Sequence, residues 1–567
     1  MKKILCLVGG LLLLSSCHNL DLNPLSSGSS DNWYASEEEI EMAVNDLYSS
    51  WYWFRDGEDN TDWSDDIVMR ENLSALENAT VNGQSWFVTQ YWTRLYKAVV
   101  HANSIILKYQ RAIDNGANET AVKKYVGEAY FFRATAYARL VEKFGAVPLI
   151  LDEMDISQAL NIGRTEKTTV LKQIYDDFDA AISVLPTSYS GAQRITKGAA
   201  LAYKARTALY MGDWEIAATA AKAVMDLGIY KLHSSYSDLF LQSTQTSPEF
   251  IFWIPRSLTV AGCYQDANTV KNLLIRNAGG WCAQVPSWEL LACYTCTDGL
   301  PIDKSPLFDS HDPFKNRDPR CCMTIVPFGS NFLGYEYNPS PEATKIMNYN
   351  TGKMVYNNDA RINKQFASFN GLAFKKGIDE TWTQNGYTVA PPKVIIRYAE
   401  VLLTYAEAKI ELGEIDQSVL DAMNTVRARA YGVDKSQTTV YPAFTASDQA
   451  TLRSQLRVER RMEFPHENMR YSDIVRWKLA EVVLNRSNYM MLYPATDCLN
   501  KVVKTGDWFW PFAPDIDVNG LADFSKMEAA GKVQVLTQRK WDNKEYLWPI
   551  PTTEIQINPN ITQNPGY

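Results

Sequence analysis

The feature that most constrains the fold of this chain is residues 196–228, TKGAALAYKARTALYMGDWEIAATAAKAVMDLG. Two alanine-rich helical segments flank a break at Gly212-Asp213, and the second segment ends on a glycine. Small residues let two helices approach closely, and the span of 33 residues is close to the period of tetratricopeptide repeats, about 34 residues. This segment predicts a tetratricopeptide-like helical hairpin.

A second segment of the same kind covers residues 397–432 and turns at Gly413. Hairpins of this type cannot bury a whole apolar face alone, so we expect the earlier helices to stack with them. The alternative is a set of unrelated antiparallel helices. Either arrangement predicts a mainly α fold, here with tetratricopeptide-like hairpins, long irregular loops and a few short strands.

Helical periodicity also marks the first part of the chain. Ser36 and Glu39 form a capping box, in which the serine oxygen and the glutamate carboxylate can each accept a free backbone N–H. Apolar residues then recur at helical spacing through three further segments. These predicted helices are one through Leu95 and Tyr109, one over 121–144 that stops at Gly145, and one over 168–185 closed by Pro186.

Two long stretches have little periodicity. Residues 240–395 contain one predicted strand at 249–254 and are otherwise rich in Gly, Pro, Asn, Asp and aromatic residues, and residues 485–545 are similar. Irregular stretches of this length usually carry function. No Gly/Ser or Pro-rich linker divides the chain after its N-terminal tether. We therefore expect the parts 36–240 and 241–567 to pack as one compact unit.

The N-terminus predicts export and a lipid anchor. Lys2 and Lys3 precede the apolar run 4–14, which is too short to cross a bilayer, so residues 1–16 are predicted to be a signal peptide. Leu-Ser-Ser-Cys at 14–17 resembles the lipobox of bacterial lipoproteins, which makes Cys17 the acylated residue and 17–35 a lipidated tether. Two or three acyl chains hold a protein durably to a membrane. A plain signal peptide cleaved nearby is the alternative.

Charge and cysteine content narrow the function classes. Removing residues 1–16 moves the formal net charge from −9 to −11, and there is no Lys/Arg run, which argues against nucleic-acid binding. Seven cysteines remain after processing and acylation, so at least one is unpaired. Cys293-x-x-Cys296 with Cys321-Cys322 is open to three interpretations: small buried residues, a local disulfide or a zinc site.

Several ordered blocks together resemble one family, the SusD-like (RagB/SusD) nutrient-uptake lipoproteins of Gram-negative outer membranes. The resemblance runs from Cys17 to Tyr567 and departs from the family at Pro465–Asn468, where Glu-Gly commonly precedes the arginine at 470. The blocks are FFRATAYARLVEKFGAVPLI (131–150), the alanine-rich hairpin, PSWELLACYTCTDGLPID (286–303) with RDPR (317–320), RYAEVLLTYAEA (397–408), RVERRMEFPHENMRYSDIVRWK (457–478) and YLWPIPTTEIQINPNITQNPGY (546–567).

The resemblance implies a mostly helical protein with four tetratricopeptide-like units on one side and long loops on the other. It implies a surface-exposed lipoprotein of the outer membrane that lies as a lid over a SusC-type TonB-dependent barrel. Such a protein captures an oligosaccharide and delivers it to the transporter without breaking a bond. By this resemblance the chain is not expected to be an enzyme, and the energy for import would come from the transporter partner.

Sugar capture needs flat aromatic faces and planar polar groups in exposed loops. Trp281 follows the flexible pair Gly279-Gly280 and sits where the resemblance places a ligand-stacking tryptophan. Tyr264 lies in the same irregular region. Asn72, beside Arg70, stands in a loop where family members supply hydroxyl-binding groups. Trp86, after a short polar loop, is a further candidate. The alternative for each candidate is ordinary loop packing.

Other chemistry has weaker support. The charged residues of 459–476 are interpreted as structural, because Arg forks match carboxylates in paired geometry. No Gly-x-Ser-x-Gly elbow, His-Glu-x-x-His helix or phosphate loop is present in the sequence. A secreted glycoside hydrolase, a peptide-binding cap of the same kind of transporter and a purely structural cap remain as rivals. No cofactor or metal is expected, although the oxygen-rich loop Asp309–Asp312 would permit calcium.

Overall fold

The computed structural model describes residues 33–49, 51–53, 64–70, 72–190 and 193–567. The predicted signal peptide and the predicted lipidation site Cys17 lie outside these residues. Among the helices of the described ranges, none combines the length and the apolar character that a bilayer-spanning helix needs.

The N-terminal part is built from helices. They are α1 (Glu37–Asp46), α2 (Trp86–Lys108), α3 (Gln110–Asp114), α4 (Glu119–Phe144), α5 (Ile156–Ala159), α6 (Lys167–Val184), α7 (Lys197–Met211) and α8 (Trp214–Asp226). The predicted start of α1 is confirmed: the Ser36 hydroxyl accepts the N–H of Glu39 at 3.2 Å, and the Glu39 carboxylate accepts the N–H of Ala35 at 2.7 Å.

The C-terminal part mixes short helices with the second hairpin. Its helices are α9 (Ala267–Leu273), α10 (Trp288–Cys293), α11 (Pro319–Thr324), α12 (Tyr398–Leu412), α13 (Gln417–Ala430), α14 (Gln449–Glu463), α15 (Arg470–Arg476), α16 (Ala480–Val483), α17 (Ala495–Cys498), α18 (Ser525–Ala529) and α19 (Thr552–Ile557). A π-helical turn, Leu499–Val503, follows α17, and short 3-10 turns lie at Asp238–Phe240, Glu380–Thr383 and Asn543–Tyr546.

The strands are short and pair antiparallel. They are β1 (Ile67–Met69), β2 (Phe250–Ile254), β3 (Gln284–Pro286), β4 (Asn331–Phe332), β5 (Tyr335–Glu336), β6 (Lys345–Asn348), β7 (Lys353–Tyr356), β8 (Lys393–Arg397), β9 (Ser487–Met491), β10 (Asp515–Ile516), β11 (Ala522–Asp523) and β12 (Val533–Gln538). Strands β4 to β7 form one sheet, and the others form the pairs β1–β3, β2–β8, β9–β12 and β10–β11.

Both predicted hairpins are confirmed and pack together. The α7–α8 turn has Gly212 in the left-handed conformation, with φ +85°, and Gly413 does the same between α12 and α13, with φ +73°. Helix α8 packs against both α7 and α12, so the two hairpins stack. The contacts α2–α4, α4–α6 and α6–α7 extend the stack to the earlier helices. The mainly α fold predicted from the sequence is therefore confirmed.

Two large hydrophobic cores result. The helical core takes side chains from α1 through the C-terminal segment, including Phe131, Tyr137 and Leu403. The second core lies under the loops and is centred on Trp288, with Trp510 at a ring-centroid distance of 5.8 Å. Cysteines 282, 293, 296, 321 and 498 belong to this second core, and none of the described cysteines forms a disulfide.

A buried ion-pair network lies between the two cores and agrees with the structural interpretation of residues 459–476. Glu463, at the end of α14, accepts hydrogen bonds from Arg397 at 2.6 Å, from Arg320 at 2.9 Å and from Arg429. Burial alone would raise the pKa of Glu463, but Arg429, Arg397 and Arg320 lower it to about 2. The arginine forks thus hold the carboxylate charged inside the protein.

Candidate functional site

A two-stranded ribbon brings distant loops together. In the β1–β3 pair, Met69 lies opposite Gln284, and the N–H of Arg70 donates to the carbonyl of Ala283 at 2.8 Å. The loop after β1 and the loop before β3 therefore lie side by side. Arg70 and Trp281, which are 211 positions apart in the sequence, come into contact.

The turn that carries Trp281 is fixed by close backbone approach. A Cβ on Gly280 would lie 2.1 Å from the carbonyl oxygen of Leu274, so only glycine fits there. The N–H of Trp281 donates to the carbonyl of Lys271 at 2.6 Å, which ties the turn to α9. The Trp281 side chain remains 39% exposed. The glycine pair presents an indole to solvent as predicted, but through tight packing and not through flexibility.

Two arginines bind the backbone carbonyl of Trp281. The Arg276 guanidinium donates to the carbonyls of Trp281 at 3.3 Å and Phe366 at 3.1 Å. The Arg70 guanidinium donates to the same two carbonyls, at 3.0 Å to Phe366, and lies 5.4 Å from the centre of the Phe366 ring. Phe366 is 47% exposed. The arginines thus connect the backbones of two neighbouring loops, each of which carries an exposed aromatic ring.

A shallow cavity of about 210 Å³ continues from Arg70. Its rim includes Arg361 and Tyr493, whose ring centre lies 4.6 Å from the Arg361 guanidinium and whose side chain is 50% exposed. The amides of Gln365 and Gln534 face the same space. We call Trp281, Phe366 and Tyr493, with Arg70, Arg276 and Arg361, the aromatic surface.

The buried carboxyl of Asp359 fixes the backbone that carries part of this surface. Asp359 is fully buried and accepts the backbone N–H groups of Arg276 at 2.7 Å and Asn277 at 3.0 Å. Burial raises the pKa of Asp359 to about 6, against the lowering effect of these hydrogen bonds and of the Arg276 charge. Both carboxylate oxygens are engaged, so the role of Asp359 is to fix the backbone that carries Arg276.

The other predicted residues occupy different positions. Asn72 pairs with Met69 and is exposed beside Arg70. Tyr264 lies before α9, in a separate cavity of about 860 Å³ that Trp253 also lines. Tyr264 precedes the N-terminus of the 7-residue helix α9, whereas the backbone of Trp281 is bonded to Lys271 in the second half of that helix. Trp86 is the first residue of α2 and is 61% exposed, next to a loop that contacts α19.

The sequence did not single out Phe366, Tyr493, Arg276 or Arg361. All four lie in the two irregular stretches that the sequence marks as functional, but no local pattern distinguishes them from loop residues that are buried. Phe509 and Trp510, in the second of these stretches, belong to the second core. Exposure here is decided by contacts between remote segments.

The side chains of the aromatic surface suit binding and not proton transfer. Guanidinium groups stay protonated and offer fixed forks of donors. Aromatic faces carry negative potential, which favours the C–H groups of a sugar ring. In the part of the chain that the structure describes, no group of three or more His, Cys, Asp and Glu side chains is placed to hold a metal ion. In the loop Asp309–Asp312, the Asp309 carboxylate accepts the N–H of His311 at 2.9 Å.

Comparison with known proteins identifies the family. Residues 248–567 match the model of the SusD family. Residues 20–209 match a model described as starch-binding associating with outer membrane. Because the first match covers more than half of the chain, this protein belongs to the SusD family. The resemblance that the sequence carries is thereby confirmed.

Relatives align along almost the whole chain. SusD-like protein P2 of Formosa agariphila is 24% identical, with 98% of each chain covered. A SusD-like protein of Bacteroides ovatus is 22% identical over 100% of this chain and 98% of its own. Among solved structures, a SusD-like carbohydrate-binding protein from Bacteroides fragilis is 27% identical, with a TM-score of 0.74 over 93% of this chain and 99% of its own.

A laminarin-binding SusD-like protein shares the fold. It is 20% identical, with a TM-score of 0.61 over 94% of this chain and 100% of its own.

Proposed function

We propose that this protein is a cell-surface lipoprotein that captures oligosaccharides and delivers them to a SusC-type TonB-dependent transporter of the outer membrane, as part of polysaccharide utilisation. Acylated Cys17 anchors it, and residues 17–35 form the tether. It binds its ligand without chemical change and needs no cofactor. Calcium at Asp309–Asp312 is an addition that the proposal does not require.

One observation carries the proposal: three exposed aromatic side chains, with guanidinium and amide groups between them, on one surface built by separate loops. A purely structural cap of a barrel does not require exposed aromatic rings beside arginines, whereas a ligand-binding surface does. The carbohydrate-binding relative with 27% identity supports a sugar as the ligand. The wider cavity beside Tyr264 and the exposed Trp86 remain candidates for further ligand contacts.

The central test is calorimetric titration on a glycan that the chain binds in an array. We expect Trp281→Ala to weaken affinity by roughly two- to tenfold, since stacking on an aromatic ring contributes about 0.5–1.5 kcal/mol. Trp51→Ala is the matched control, because Trp51 is 44% exposed but stacks on Arg94 of α2. Equal affinities for wild type and Trp281→Ala would remove Trp281 from the site.

The array also separates the rival functions. Peptides spotted beside glycans test the peptide-binding cap, and the appearance of new reducing ends during incubation tests the glycoside hydrolase. A chain that binds neither class but co-purifies with a barrel would be a structural cap. Loss of membrane association in a Cys17→Ala chain, with retained glycan binding, is the result expected for a lipid anchor.

A further inference from the structure

Two of the segments that build the aromatic surface, those that carry Trp281 and Phe366, differ in charge from the rest of the molecule. The chain has 65 acidic and 56 basic residues. Segments 267–284 and 343–366, however, contain a single acidic residue, the buried Asp359, whose two oxygens accept backbone N–H groups. Their basic residues are Lys271, Arg276, Lys345, Lys353, Arg361 and Lys364.

The positive charges lie among exposed rings. Arg276 contacts the carbonyls of Trp281 and Phe366, which are dipoles and carry no net charge, while its guanidinium also interacts electrostatically with the buried Asp359. Lys364 is exposed, and its ammonium lies 5.7 Å from the ring centre of Tyr356, which is itself exposed. The Asn277 amide donates to the Tyr356 carbonyl at 3.0 Å, so this tyrosine extends the aromatic surface along β7.

We propose that the ligand of this surface is an anionic glycan, one that carries uronate carboxylates or sulfate esters. This inference rests on the glycan-binding function proposed above and names its substrate class. Planar guanidinium forks match carboxylate and sulfate oxygens, and lysines attract them as point charges. The acidic remainder of the protein repels such a ligand, so a local positive field directs it to the exposed rings.

The experiment compares matched pairs of glycans in titrations of the full chain carrying Cys17→Ala. The uronate pair is polygalacturonate and its methyl ester, and the sulfate pair is carrageenan and its desulfated form, within an array of other neutral and anionic glycans. We expect an anionic member to bind at least about tenfold more tightly than its neutral counterpart, with affinity that falls as salt is added.

Two variants locate the effect. Arg276→Gln and, separately, Lys364→Gln are expected to reduce the preference for the charged member several-fold. Lys364 is exposed, so its replacement leaves packing intact. Lys172→Gln on α6 removes the same charge from a side chain that is 77% exposed elsewhere, and is expected to change nothing.

The outcomes separate the two proposals. Preference for a charged member that Lys364→Gln reduces, and Lys172→Gln does not, supports the inference. If neutral glycans bind as tightly or more tightly, and neither Arg276→Gln nor Lys364→Gln changes their affinity, the inference is overturned and the glycan-binding function stands. Absence of binding to every glycan overturns the proposed function, and this inference with it. The uronate and sulfate pairs identify which oxyanion is recognised.

Discussion

At the scale of single residues, the turn at 465–468 explains how the chain tolerates its departure from the family. His466 and Asn468 both adopt positive φ, +61° and +62°. The resemblance drawn from the sequence implies a glycine shortly before Arg470, and asparagine is among the side chains that accept the left-handed conformation. The turn therefore survives the substitution. Glu467 keeps its place and accepts a hydrogen bond from Arg397 at 2.7 Å.

Glu545 is a residue whose charge opposes folding. It is fully buried, and within the described residues neither carboxyl oxygen has a hydrogen-bond partner. Burial raises the pKa of Glu545 to about 8. The folded pKa exceeds the unfolded one, so folding favours the protonated form of Glu545. The stability that this protonated form contributes is complete below about pH 4.5 and is lost as pH rises toward 8.

We expect Glu545→Gln to raise the free energy of unfolding at pH 8 by up to about 4 kcal/mol and to leave it little changed at pH 4.5, since the amide cannot ionise. Denaturant unfolding at both pH values measures the change. Glu380→Gln replaces an exposed acid and serves as the control. Equal effects of Glu545→Gln at the two pH values would contradict the assignment.

At the scale of elements, α14 connects the second hairpin to the loops. Its last two turns place Glu459, Arg460, Arg461 and Glu463 in different directions, and all four are buried. Glu459 accepts from Arg427 of α13 at 2.8 Å and from Arg320 of α11 at 2.9 Å. The buried charged residues of α14 therefore join this helix to the second hairpin and to the loop region by ion pairs, and these pairs are part of the packing.

Glu463→Gln is expected to lower the free energy of unfolding by about 3–5 kcal/mol, because it leaves buried arginines without their counter-charge. The folded pKa of about 2 lies below the usual 4.5. The stabilisation is therefore present above about pH 4.5 and lost as pH falls toward 2, where the variant and the wild type should converge.

Glu411→Gln is the matched control for this prediction, since its pair with Arg453 is partly exposed, with 17% and 29% side-chain exposure. An effect below about 1 kcal/mol is expected there. If Glu463→Gln and Glu411→Gln lower the free energy of unfolding equally in urea titrations at pH 7, burial does not set the energy of these ion pairs.

At the scale of the whole molecule, the parts 36–240 and 241–567 both contribute to the helical core and are joined by buried ion pairs. The helical core contains Phe131 and Leu403, one from each part. Asp65 accepts from Arg470 at 2.8 Å and pairs with Arg461 at 2.7 Å. Burial alone would raise the pKa of Asp65, but Arg461 and Arg470 hold it well below its usual range. We therefore expect both parts to unfold together.

Asp65→Asn tests this cooperativity. It removes a charge paired with the other part, and we expect a loss of about 3–5 kcal/mol with a single transition, seen at the same denaturant concentration by far-UV circular dichroism and by tryptophan fluorescence. Two separated transitions in the wild type would mean that the parts are independent domains.

The sequence by itself determined the main N-terminal helices, both hairpins and the family, because small-residue spacing, caps and helix-ending glycines are local signals. It also predicted Arg70 and Trp281 as candidate ligand-binding residues. Only the tertiary structure decided that these two residues touch, that Phe366 and Tyr493 stay exposed while Phe509 and Trp510 are buried, and which arginine meets which carboxylate. The physical reason is that exposure and ion pairing depend on segments brought together by packing, such as β1 and β3, which no local pattern records.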